Sequence, residues 1–230
     1  MEKEIKNSVH FRNGIFTGLT VLSLMWLVKF VQLISGASFA HFGLKPREIR
    51  GLVGVLTAPF IHSSEDWNHI LSNSIPIVVL IFLIYITYHK IANKVLFTIW
   101  LMTGLWTWVF ARGDTYHIGA SGVIYGLLSF LFFSGLWRKN KNGIAMALLM
   151  VLLYGSMFWG LFPIKEGVSW ESHLMGFFSG LILSLYYKDI LITGAELPKK
   201  REDDKPVNFT YDIPYDVTYV YKERSDSKED

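Results

Sequence analysis

The chain has 230 residues, of which 51% are hydrophobic and 16% aromatic, with a formal net charge of +3 and a mean hydropathy of +0.33. It is too apolar for an ordinary soluble domain, and its small charge is spread by membrane side and not gathered into a nucleic-acid patch, so one membrane-embedded domain is the simplest reading. No cysteine is present, which removes disulfides, thiolate metal sites and a cysteine nucleophile.

Six apolar runs follow one another along the chain. After a short segment, residues 1–14, the first run covers Ile15–Ile34. Its end, "SGASFA", resembles a signal-peptide cleavage site, but the run exceeds the usual 7–15-residue core and holds Lys29, so a retained span is expected. The second run, Ile70–Tyr88, contains Pro76, which is predicted to bend a helix whose freed carbonyl neighbours can satisfy. Val95–Ala111, Ser121–Trp137, Ile144–Phe162 and His173–Tyr187 follow. About 20 apolar residues cross about 30 Å of hydrocarbon, so several runs are slightly short. From Lys188 onward the chain turns charged, from "KKREDDKP" to "ERSDSKED", and reads as a solvated extension whose "YDIPYDVTYVY" offers a short strand or a docking segment. The expected fold is an all-α polytopic membrane protein: a six-helix domain over 15–187 between the 1–14 segment and a 188–230 tail.

Orientation follows from the lysines and arginines. With six spans both termini share a side, and that side carries twelve: Lys3, Lys6, Arg12, Lys90, Lys94, Arg138, Lys139, Lys141, Lys188, Lys199, Lys200 and Arg201. The other side has five, Lys45, Arg47, Arg50, Arg112 and Lys165, which places both termini in the cytoplasm. Runs two, four and six then all start on the non-cytoplasmic side, and each starts with its unusual polar residues: His69 and Asn73 in "NHILSN", Ser121 in "GASG", His173 in "SHLMG". Polar groups inside a membrane are costly unless they face protein or water, so three polar entries facing one side mark a functional site. The fourth and sixth runs, at 1.5 Å per residue, cover only roughly 26 and 22 Å, which sinks Ser121 and His173 below the outer surface.

Gly122 and Gly126 are four residues apart, as are Gly176 and Gly180, giving each helix a small-residue stripe for close packing. A serine among glycines ordinarily only packs; a histidine at matching depth opens a second reading, in which His173 takes the proton of Ser121. His69 and Asn73 could add side-chain N–H donors to the Ser121 amide for an oxyanion. No acid is clearly placed behind the base, since Glu171, two residues before His173, points elsewhere on a helix. A Ser-His dyad fits better than a triad. His62, His69 and His117 lack the company of an HExxH signature or a cysteine, so no metal and no cofactor is expected. His89 reads as interfacial, and Trp100, Trp106, Trp108, Trp137, Trp159 and Trp170 as interface anchors.

On "HILSN", "GASGVIYG" and "SHLMGFFSG" the chain resembles the rhomboid family of intramembrane serine proteases, over about Ile15 to Tyr187. The resemblance implies a six-helix core with Ser121 as nucleophile and His173 as general base. It further implies that His69, Asn73 and the Ser121 amide bind the oxyanion, that Gly119, Gly122 and Tyr125 support the site with Tyr125 packed against the base, and that Gly176 lets the helices touch. The substrates it implies are transmembrane segments of other proteins, cut near the outer face. The partners expected are therefore such proteins and membrane lipids, with no nucleic acid, in a bacterial plasma (inner) membrane and with the site opening outward. Two features depart from the family. His62 stands seven residues before His69 where five are common, and the first loop offers "KPREIR" without a Trp-Arg pair. The alternatives are an inactive rhomboid-like protein that binds membrane clients, although those typically lack the serine or the histidine, and a transporter, which would favour charged or broken helices near the midplane.

Overall fold

A computed structural model of the chain describes residues 2–164 and 167–188, with side chains from residue 8; the tail from residue 189 and Lys165 lie outside the described residues. The described residues are helices and loops, joined in one place by an antiparallel bridge between Leu44 and His117. Long helices are α1 (Glu2–Ser35), α3 (Trp67–Tyr88), α4 (Ala92–Phe110), α5 (Ser121–Arg138), α6 (Lys141–Tyr154) and α7 (Trp170–Tyr186). The loop after α1 holds the one-turn α2 (Gly54–Thr57) among short 3-10 turns, and α6 runs on as a 3-10 segment, Gly155–Leu161, here termed the strap. Four stretches are long and apolar enough to cross a membrane: 8–35, 67–88, 121–138 and 141–161. α4 and α7 have 19 and 17 residues.

Local chemistry sets the helix ends. Asp66 caps α3, its carboxylate accepting from the Asn68 N–H at 2.9 Å, and Asn140 caps α6 by accepting from Gly143 N–H at 2.7 Å. α3 continues through Pro76 as one helix. α5 is the central element, buried at Ile124, Leu127, Phe130 and Leu131 against Ile77, Leu80 and Ile84 of α3 and Ile99 of α4. The outer helices keep apolar side chains on the surface, including Phe16 and Ile34 of α1 and Leu148 and Leu152 of α6. In water such a surface would aggregate; against acyl chains it is solvated.

The two glycine stripes face each other. A methyl group at Gly176 would run into the Gly122 carbonyl, and one at Gly180 into that of Gly126, so α5 and α7 meet backbone to backbone. The loop before α3 is tied to its neighbours by polar contacts: the Trp100 indole donates to Val55 O and the Trp108 indole to Glu48 O, both at 2.9 Å, while Arg47 Nη1 donates to Ala111 O at 2.7 Å. Trp137 likewise donates to Ser184 Oγ at 3.1 Å. These three tryptophans bracket one element to another, a role that composition does not reveal, since it shows that an indole is amphipathic but not where its N–H finds an acceptor.

Candidate active site

Ser121 and His173, 52 residues apart in sequence, meet at the outer end of the α5–α7 seam. Ser121 is the first residue of α5, where backbone N–H groups have no acceptor within the helix. His173 lies in the first turn of α7 and is buried. Its Nε2 is 2.8 Å from Ser121 Oγ, and its Nδ1 is 2.8 Å from the carbonyl oxygen of Gly160. A carbonyl can only accept, so Nδ1 carries the proton and Nε2 presents its lone pair to the serine hydroxyl. The Tyr125 ring, one turn along α5 from the serine, stacks on the imidazole with centroids 4.3 Å apart and planes 12° from parallel. Its hydroxyl donates to Met157 O at 2.6 Å.

Both carbonyls belong to the strap, and the strap therefore holds the imidazole twice: by the Gly160 oxygen on the ring nitrogen and by the Met157 oxygen on the ring stacked above it. Gly160 has no room for a larger residue, because a Cβ there would run into the Tyr125 hydroxyl. This contact set was not legible from the sequence. Backbone acceptors leave no residue-type signature, and the only trace is a glycine in the apolar run "YGSMFWGLF". Glu171 is engaged elsewhere: Arg112 Nε stands 3.6 Å from its carboxylate.

The His69 ring lies against Gly119, whose φ of +104° and lack of a Cβ let the ring approach the turn that leads into Ser121. That turn is pinned from behind, with Gly119 N–H donating to Ala58 O at 2.9 Å and the Leu44–His117 bridge closing at 2.9 and 2.8 Å. Below it, an added Cβ at Gly122 would collide with the Ser172 hydroxyl, so α7 presses directly on the serine's own helix. His117 supports the same loop: its Nε2–H donates to Arg112 O at 3.1 Å, its Nδ1 accepts from the Ser169 hydroxyl, and burial lowers its pKa from the ordinary histidine value. Asn73 is buried and its amide Nδ2 donates to His62 Nε2 at 3.1 Å. His62, itself buried and with its ring 5.0 Å from that of His69, is pushed down to about 3 by desolvation and by His69, so it stands there as a neutral acceptor. Among the described residues no group of three or more histidines and carboxylates is placed to hold a metal ion.

The Rhomboid domain family model matches residues 50–189, more than half of the chain and all of the site. The chain belongs to the rhomboid family. Uncharacterized proteins of Mycobacterium tuberculosis and Mycobacterium bovis are each 36% identical to this rhomboid over 176 residues, 72% of either chain. One of Mycobacterium leprae is 31% identical over 189 residues, 79% of this chain and 74% of its own. The family match makes this rhomboid an integral membrane protein, with the apolar surfaces of its helices facing lipid. His62, seven residues before His69, stands within hydrogen-bond reach of Asn73.

Proposed function

We propose that the protein is an intramembrane serine endopeptidase acting on transmembrane segments of other proteins, with Ser121 and His173 as its catalytic dyad. The observation that carries this reading is the base geometry: Nε2 on the serine hydroxyl at 2.8 Å, with the opposite nitrogen held by a fixed acceptor. In the reaction Ser121 Oγ adds to the scissile carbonyl carbon as its proton passes to His173 Nε2. The negative oxygen so formed is received by the Ser121 N–H at the start of α5, with His69 and Asn73 as side-chain donors. His173 then returns the proton to the departing amine nitrogen, and the acyl-enzyme is hydrolysed by a water that His173 deprotonates in turn. Tyr125 and the Gly160 carbonyl keep the imidazole in plane and in tautomer throughout.

The reading includes six spans, formed by α1, α3, α4, α5, α6 and α7, with both termini in the cytoplasm of a bacterium and the dyad reached by water from the outer side. The basic residues support the orientation. A reporter fused after Asp230 is expected on the cytoplasmic side and a tag near Ser63 outside; the reverse result would overturn it. For the chemistry, a fluorophosphonate probe incubated with protein in lipid vesicles should label Ser121. Ser121→Ala and His173→Ala should each abolish nearly all labelling and all cleavage of single-span substrates, and the double variant should be no worse than the worse single. Full cleavage by a folded Ser121→Ala protein would sink the mechanism and leave the serine a packing residue.

A further inference from the structure

One charged residue is fully buried inside a membrane-crossing helix without belonging to the site. Lys29 of α1 has no exposed surface. An ammonium group at that depth is costly unless every proton finds a partner. Lys29 Nζ donates to the carbonyl of Ser63 at 2.6 Å and of Ser64 at 3.1 Å, and it stands 4.6 Å from the centre of the Trp67 ring at the start of α3. One turn further on, Gln32 Nε2 donates to the His62 carbonyl at 3.3 Å. Two side chains of α1 thus grip three consecutive carbonyls, those of residues 62, 63 and 64.

What the gripped segment does is the telling part. Its first residue, His62, is 1% exposed and accepts from the Asn73 carboxamide at 3.1 Å. A carboxamide can rotate or flip, and a donor that wanders is worth little to a transition state that needs it in place. His62 has the only ring nitrogen on this amide, and the ring is held where it is because its own backbone is held. Lys29 and Gln32 both precede residue 50, where the match to the family model begins.

We propose that α1 is a positioning element of the oxyanion site: Lys29 and Gln32 fix the 62–64 backbone so that His62 sets the orientation of the Asn73 carboxamide. The inference rests on the dyad reading and on Asn73 as an oxyanion donor. It makes Lys29 and His62 positioning residues that act only through Asn73, touching neither the serine nor the base.

The test is the rate of fluorophosphonate labelling of the full-length protein in lipid, resolved into a limiting rate and a half-saturating probe concentration. In this reaction the Ser121 Oγ–P bond forms as fluoride leaves, and the phosphoryl oxygen occupies the oxyanion position. His62→Leu and Lys29→Met should each lower the limiting rate about 10- to 100-fold, with half-saturation unchanged. His62→Gln should keep most of the rate, since its Oε1 can accept from Asn73 in place of the ring nitrogen. In an Asn73→Ala background neither His62→Leu nor Lys29→Met should slow labelling further. A merely structural lysine predicts the opposite: a lower melting temperature, and the same fractional loss of rate with or without Asn73. That result overturns the proposal, as does labelling of His62→Leu at the parental rate. If Lys29→Met does not fold, the His62→Leu and His62→Gln pair in both backgrounds decides the matter alone. A parental protein that takes up no probe at Ser121 overturns the dyad reading and this one with it, whereas a labelled parent with additive variants overturns this one only.

Discussion

The central helix α5 packs against α3, α4, α6 and α7, and it holds the last two differently. Against α7 it packs along a stripe of glycines that runs from Gly122 to Gly126 on one side and Gly176 to Gly180 on the other, with Gly176 O 3.1 Å from where a Gly126 Cβ would be. Against α6 it packs backbone to backbone only near the far end, at Gly135 and Gly143. Towards the site the two separate around an apolar cavity of about 150 Å³ lined by Tyr125, Leu128, Phe132, Val151, Tyr154 and Phe158. The first contact carries Ser121 and His173, the proposed nucleophile and base, on closely packed backbones. The second brings the strap, whose carbonyls orient that base, on a helix most of whose surface faces outward. On the dyad proposal, placement of the reacting atoms and orientation of the proton acceptor would thereby fall to parts of unequal firmness.

If this division is right, disturbing the seam should cost stability and disturbing the strap should cost rate. Gly176→Leu should have the largest effect: a four-carbon side chain driven into the Gly122 carbonyl should destabilise by about 3 kcal/mol or more, and little folded or probe-reactive protein should be recovered from membranes. Next come the oxyanion donors on α3, which belong to neither contact. Asn73→Ala and His69→Ala should lower kcat by about 10²–10³ with KM little changed, as measured on a single-span substrate. If both cleave at the parental rate, α3 does not line the oxyanion position.

The strap variants are expected to be milder and more discriminating. Gly160→Ala pushes against the Tyr125 hydroxyl and shifts the carbonyl that holds His173 Nδ1, and should slow labelling about tenfold while the melting temperature moves little, since the strap can yield. Should Gly160→Ala unfold the protein as Gly176→Leu does, strap and seam are equally firm and the contrast fails. Tyr125→Phe is the smallest change: it keeps the stacked ring and deletes one hydrogen bond to Met157, worth about 1 kcal/mol. The expected result is a rate within about fivefold of the parent, by the conversion of 1 kcal/mol into a rate ratio.

Much of this arrangement could be read before any coordinates. The helices fall close to the apolar runs, and the paired glycines, the serine and the histidine it meets are each visible as residue types at a fixed spacing. What escaped was of two kinds. Gly160 and Met157 act through carbonyl oxygens, which every residue owns and no sequence distinguishes. Lys29 and His62 were noticed, the one as an argument against signal cleavage and the other as a histidine out of register, but their partners lie 34 and 11 residues away and only the fold joins them. The indole bonds of Trp100 and Trp108 stay hidden for the same reason: an aromatic in an apolar run looks alike whether it meets lipid or a loop carbonyl.

The carbonyl behind His173 has a further consequence for tempo. A carboxylate in that position would meet the imidazolium with a full opposite charge, whereas the Gly160 oxygen offers only the negative end of a dipole. In the proposed reaction the protonated base would therefore lie higher than in a triad, and each turnover would have to climb to it. Under the proposed dyad reaction a slow step of this kind would make the time a segment spends at the site, and not its affinity alone, count towards whether it is cut.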